Sequence, residues 1–213
     1  MTEAEWMACT DPRRMLEFVR GKASDRKLRL FALAFVRRMY PLPDKRSKRI
    51  WATVERYVDG LADPAQLRVA WASARWAANV ATRQTDDETE GVRWLLAALA
   101  EESPSWVIRG IYVPASPAER ESHEAIQCRI LCDLFGNPFR PVAITPAVPI
   151  WNDGTVSKLA QAIYDRRAFD RLSILADALE EAGCTDADIL NHCRQPGEHV
   201  RGCWVVDLLL GKS

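Results

Sequence analysis

The sequence predicts an all-α fold: a multi-helix bundle over residues 1–136, a Pro-rich connecting loop over 137–154 and a small C-terminal helical subdomain over 155–213. Three observations carry that reading. Apolar residues recur every three to four positions through most of the chain, as a helix with one buried face requires. A polar cap followed by proline opens a segment three times, at Asp11-Pro12, Asp63-Pro64 and Ser116-Pro117. The cap accepts from exposed backbone N–H groups, and proline fits the first turn because it has no N–H to satisfy. Gly is scarce, ten in 213 residues, and Pro sits mostly between the periodic segments. A chain of this length with 48% hydrophobic residues can bury a core without help from disulfides or metals.

The elements follow in order. A helix from Asp11-Pro12 stops at Gly21, where a left-handed residue is easy. Ser24 caps a second helix, with Leu28, Phe31, Leu33, Phe35 and Met39 as its buried residues and Pro41 and Pro43 as its end. The third spans about Ser47 to Val58, with Ile50, Trp51, Val54 and Val58 on one stripe, and ends at Gly60. Asp63-Pro64 starts a long helix to about Thr82, where small Ala residues beside Trp71 and Trp76 permit close packing. A fifth runs from about Asp87 to Glu101, its acidic first turn suited to the positive end of the helix dipole. Pro104 to Pro114 fits either a helical turn or a short strand. Ser116-Pro117 then opens a helix to Phe135, stopped by Gly136.

Asn137 to Asp153 contains Pro138, Pro141, Pro146 and Pro149 with little periodicity, and is the expected domain boundary. Thr155 caps a helix to about Arg166. Ala168 to Ala182 forms another with Leu172, Leu175 and Leu179 on its core stripe, and Thr185 opens a short one ending near Arg194. The tail from Val200 to Leu210 fits strand or helix, and the spacing of Val200, Trp204 and Leu208 favours helix.

No stretch has the uncharged apolar length of a membrane span, and the acidic start of the chain lacks the layout of a signal peptide, so a cytoplasmic location without membrane contact is expected. In that compartment the six Cys are expected as reduced thiols. Net charge is zero but unevenly spread. Thirteen Lys and Arg between Arg13 and Arg49 face three acids, a net of +10 that the remainder offsets.

Two clusters suggest chemistry. Cys184, His192, Cys193, His199 and Cys203 fall within 20 residues. His199 and Cys203 are one helical turn apart, and with Cys184 and His192 they form a candidate zinc site, since zinc takes four nitrogen or sulfur ligands. The spacing does not match paired zinc knuckles, so buried thiols with capping histidines are the favoured alternative. Cys128 and Cys132, also four apart, read as core thiols. The basic region offers Arg26, Lys27, Arg29, Arg37, Arg38, Lys45, Arg46, Lys48 and Arg49 as phosphate contacts for a nucleic acid, with Tyr40 and Trp51 near enough to stack on bases. The competing reading pairs these cations with the acidic remainder of the chain, and the charge balance favours it.

No nucleophile elbow, phosphate-binding loop, dinucleotide fingerprint or metalloprotease helix is present, so no cofactor beyond zinc is suggested and the chain reads as not an enzyme. Eight Trp are spread along it, most of them expected in the core; Trp151, in the Pro-rich loop, is the one expected to be partly exposed, pinning that loop onto the helices.

Several stretches resemble a widespread bacterial family of uncharacterised function. They are Asp11-Pro12 through Phe18 and Gly21 to Phe31, then Phe135-Gly136-Asn137-Pro138-Phe139-Arg140-Pro141, then Ala168-Phe169-Asp170-Arg171-Leu172 through Cys184. The C-terminal His192-Cys193-Arg194 and His199-Val200-Arg201-Gly202-Cys203-Trp204-Val205-Val206-Asp207-Leu208-Leu209-Leu210-Gly211-Lys212 complete the resemblance. Family members are rich in Cys in the second helix, where this chain has Leu33-Ala34-Phe35-Val36-Arg37-Arg38. Leu172 to Gly183 is faintly similar to the short helical domain that accompanies leucine-rich repeats. The resemblance implies shared lineage and brings no activity. The expectation is a non-catalytic protein-interaction or scaffold module whose partner is another protein, with nucleic-acid binding and a structural zinc site as alternatives.

Overall fold

A computed structural model describes residues 1–39, 44–81, 97–101, 104, 107 and 116–212. Among them the all-α expectation holds, with helices throughout and no strand. The expected helix ends at Pro41 and Pro43, most of the helix expected over Asp87 to Glu101 and most of the segment Pro104 to Pro114 lie outside the described residues, as do Tyr40, Trp94 and Trp106. No described helix is long and apolar enough to cross a membrane.

The caps at Asp11, Ser24 and Asp63 work as the sequence implies, whereas Thr155 donates to the Asn152 carbonyl without capping and Asp186 caps where Thr185 was expected to. Helix α1 spans Glu3–Met7, and Thr2 and Glu5 form a reciprocal capping box at its start. Helix α2 spans Pro12–Val19, with the Asp11 carboxylate accepting from the Arg13 N–H at 2.9 Å. Helix α3 spans Asp25–Met39, and the Ser24 hydroxyl accepts from the Lys27 N–H. Helix α4, Lys45–Val58, starts two residues earlier than the stripe suggested because Asp44 accepts from the Ser47 N–H at 2.7 Å. Helix α5 spans Pro64–Ala81 and α6 spans Pro117–Phe135. Helix α7, Ala147–Arg166, is broken at Trp151–Gly154, where Asn152, Asp153 and Gly154 all take positive φ, the residue types that tolerate it best. A 3-10 turn at Phe169–Arg171 leads into α8, Leu172–Glu181. Helix α9, Ala187–Arg194, is capped by Asp186, and α10 spans Trp204–Leu210. The tail is helical from Trp204 to Leu210 only; Val200 precedes a turn at Arg201-Gly202, so His199 and Cys203 are not one turn apart on a helix as their spacing suggests.

The chain divides into two compact units, Met1–Ala8 with Arg129–Ser213, and Cys9–Cys128. This partition differs from the expected boundary at 137–154, and packing explains why. The Pro-rich segment is no detached linker: Val148 is buried and Val142, Ile144 and Trp151 lie against the core made by Ile163, Tyr164, Leu175 and Val206. The N-terminal residues join the same unit. The Trp6 ring is fully buried with its indole N–H donating to the Gly136 carbonyl at 3.0 Å. Glu3 accepts from Asn137 at 2.7 Å and pairs with Arg140.

In the Cys9–Cys128 unit, Met15, Leu16, Phe31, Phe35, Val54 and Leu67 are core residues. Arg29 is buried with them at 1% exposure, which removes it from any phosphate-binding set. Its guanidinium donates to the carbonyls of Leu99, at 2.6 Å, and Glu101. These carbonyls end a helical segment whose last acceptors have no intrahelical partner, and a cation there also suits the helix dipole. Lys27 is buried as well, so it too is withdrawn from the expected basic surface.

Replacing Arg29 with Ala strands two carbonyls and should cost roughly 3 kcal/mol. Arg29→Lys restores the charge but not the fork, and should recover less than half in urea unfolding.

Candidate metal centre

Asp133 sits in the last turn of α6, in the run Leu131-Cys132-Asp133-Leu134-Phe135, where the neighbours Leu131 and Leu134 are core residues. The helix carries it into the interior with its side chain 5% exposed. His192 lies on α9, His199 in the connection after it, and Cys203 at the start of α10. The connection turns at Gly202 (φ 94°), which brings Cys203 back towards α9.

These four side chains offer ligand atoms that all lie within 4.8 Å of one another. His192 Nε2 stands 3.1 Å from Cys203 Sγ and 3.2 Å from Asp133 Oδ1. His199 Nδ1 is 2.6 Å from the same Asp133 oxygen. Four zinc ligands at ordinary bond lengths stand roughly 3.3–3.7 Å apart, so the observed spread brackets a tetrahedral shell. The atoms come from three separate stretches of chain and include one oxygen, two nitrogens and one sulfur.

The surroundings orient them. The other Asp133 oxygen accepts from the Val200 N–H at 2.8 Å, fixing the carboxylate plane. The Gln195 amide is 3.2 Å from His192 Nδ1. The atom at that distance is the amide Nε2, a donor, which leaves the ring proton on His192 Nε2 facing Asp133; with the amide turned end for end its oxygen would accept from Nδ1–H and Nε2 would be free to bind a metal. Trp204 covers the His192 ring at 5.1 Å, and the two imidazoles meet edge to face at 4.8 Å. Among the described residues, His199 Nε2 is buried without a hydrogen-bond partner.

Electrostatics place opposing demands on the centre. Burial raises the Asp133 carboxyl, but the hydrogen bonds from His192 and His199 outweigh it and hold the group below its ordinary value. Burial first, then Asp133, push the Cys203 thiol well up, against N–H groups of Val206 and Val205 that favour the thiolate. A divalent cation reverses that balance, because it is the largest local charge and a coordinated thiol is deprotonated.

Of the residues expected to ligate, the structure unites His192, His199 and Cys203 and leaves out Cys184, which is buried in the apolar core. Cys128 and Cys132 also lie outside the cluster. Asp133 was missed. Its signal was available: a lone carboxylate in the apolar run between Ile130 and Phe135 needs partners if the helix is buried. Neighbouring Cys193 is no ligand, and burial raises its thiol to about 12. No family model, curated protein or solved structure matches the chain.

Gly136 positions this centre from below. Its φ is +58°, and a Cβ there would stand 3.0 Å from the Trp204 ring. Gly136→Ala should therefore destabilise the protein by about 1–3 kcal/mol through backbone strain and displacement of the indole, measured by urea unfolding with Trp fluorescence as the second readout.

Proposed function

We propose that the protein is a non-catalytic helical module whose unit Arg129–Ser213 is organised around one bound zinc ion. The observation that carries this reading is the convergence of Asp133, His192, His199 and Cys203, nearly or fully buried, within 4.8 Å. The mixed nitrogen, sulfur and oxygen donors suit zinc better than the hard cations, which prefer oxygen alone. Four side chains complete a tetrahedral shell and leave no position for a water or substrate, which is the arrangement of structural rather than catalytic zinc. The ion would tie the end of α6 to α9, the 195–203 connection and α10. In this reading the stapled unit presents its surface to a protein partner.

The competing arrangement is metal-free, with both imidazoles hydrogen-bonded to Asp133. Metal analysis separates the two. Protein purified without chelator should carry one zinc per chain. Stripping it should lower the melting temperature by about 10 °C, the shift expected when a ligand held at about a thousand times its dissociation constant is removed. Acidification should release the ion, because each ligand binds deprotonated. Cys203→Ser and His199→Ala should abolish stoichiometric binding. A protein that holds no zinc and melts unchanged when zinc is added refutes the proposal.

The orienting amide gives a finer check. Gln195→Leu should keep the stoichiometry but weaken zinc affinity about 10-fold, as losing the outer partner of a ligating imidazole does, read by competition with a chromogenic chelator.

A further inference from the structure

Helices α4 and α5 form a cleft of about 730 Å³, remote in sequence from the metal centre and contained in the unit Cys9–Cys128. The wall from α4 carries Lys45, Arg46, Arg49 and Arg56. At 100° per residue Lys45, Arg49 and Arg56 lie within a sector of roughly 40°, and with 1.5 Å of rise per residue they span about 16 Å. All four are exposed. Among the described residues Lys45 and Arg49 have no ion pair, while Arg56 donates to the Leu61 carbonyl. The single acid in the wall, Asp63, is engaged as a helix cap, accepting from the Gln66 N–H at 2.8 Å.

The opposite wall is different in kind. It runs along α5 through Gln66, Val69 and Ser73, and the same stripe continues to Trp76. Val69 is 70% exposed and Trp76 57% exposed, although both are large apolar side chains. Arg46 from the facing helix stands 4.5 Å from the Trp76 ring centre, so the cationic row ends beside an accessible aromatic face.

We propose that this cleft binds single-stranded nucleic acid, with successive phosphates along the α4 cations and a base stacked on Trp76. A row of cations about 16 Å long exceeds what one phosphate group can neutralise and suits a repeating polyanion. The aromatic at its end adds a contact that a simple polyanion cannot use but any base can. The expected basic surface is thereby narrowed. Arg29 and Lys27 are buried, Arg26, Arg37, Arg38 and Lys48 do not line the cleft, and Arg56 joins the set from beyond the basic run.

The test uses the full chain and a fluorescein-labelled 15-nucleotide oligo(dT), read by anisotropy. Four phosphate contacts give a salt slope of about −3, so affinity should fall about 50-fold between 50 and 200 mM salt. Lys45→Glu with Arg49→Glu should weaken binding at least 10-fold at 50 mM and flatten the slope, whereas Lys48→Glu should change it less than threefold. Trp76→Ala should lower affinity about 10-fold and leave the slope unaltered, since stacking releases no counterion. A melting curve for each variant establishes that it is folded. Absence of binding at 50 mM salt overturns the proposal, as does an equal loss from Lys48→Glu and the double variant. Tighter binding of a duplex of the same length, or equal competition by poly-glutamate, would assign the cleft to another partner and overturn it too.

Discussion

The unit Arg129–Ser213 depends on satisfying one buried carboxylate. Asp133 lies two residues from the C-terminus of α6, where the helix carbonyls already concentrate negative potential. Burial and the dipole both oppose its charge, and an uncompensated ion in that position would cost several kcal/mol. The chain answers with two imidazoles and the Val200 N–H, all drawn from residues 192–200. Meeting that requirement forces the connection after α9 to fold back onto the end of α6 and sets where α10 begins. In the proposed zinc-bound form a divalent ion would meet the same demand more completely, since it would compensate the carboxylate and a Cys203 thiolate together.

Much of this was legible before the coordinates. Local chemistry marks the helices: Asp11 and Asp63, read as caps, each cap a helix by a side-chain hydrogen bond, and Gly21, Gly60 and Gly183 take the positive φ that ends one, while Asp44 and Asp186 cap where Ser47 and Thr185 were expected to start. Those signals act over three or four residues, which sequence displays directly. The ligand set is only partly of that kind. His192, His199 and Cys203 lie close in sequence and can be grouped by eye, but Asp133 is 59 residues from the nearest of them. Cys184 is close in sequence to the candidate ligands yet packs in the apolar core, because proximity along the chain does not fix which way a side chain points.

Charge counting fails for a related reason. The thirteen cations between Arg13 and Arg49 form one block in sequence but disperse in space. Arg29 goes inside, Lys22 stands 3.8 Å over the Phe18 ring, and Arg20 pairs with Glu17. Arg13, Arg14, Arg37, Arg38 and Lys48 stay exposed elsewhere on the surface, and the row that lines a cleft is a short one on α4. Its partner wall is invisible to a charge count, because Val69 and Trp76 read as ordinary core residues until their exposure is known.

The contact between Trp6 and Gly136 joins residues 130 positions apart. The whole of Cys9–Cys128 is therefore an insertion between two pieces of one structural unit. On the ribosome the first helix emerges early and waits, its indole without an acceptor, until the end of α6 has been made. Closing so long a loop carries an entropic penalty that grows slowly with length but raises contact order and slows folding. The inserted unit has all its own core residues available before that closure, so synthesis order favours it as the first part to fold. A chain interrupted after residue 128 would hold the inserted segment with α6 cut short of its last turns, and an N-terminal helix whose indole lacks its Gly136 acceptor.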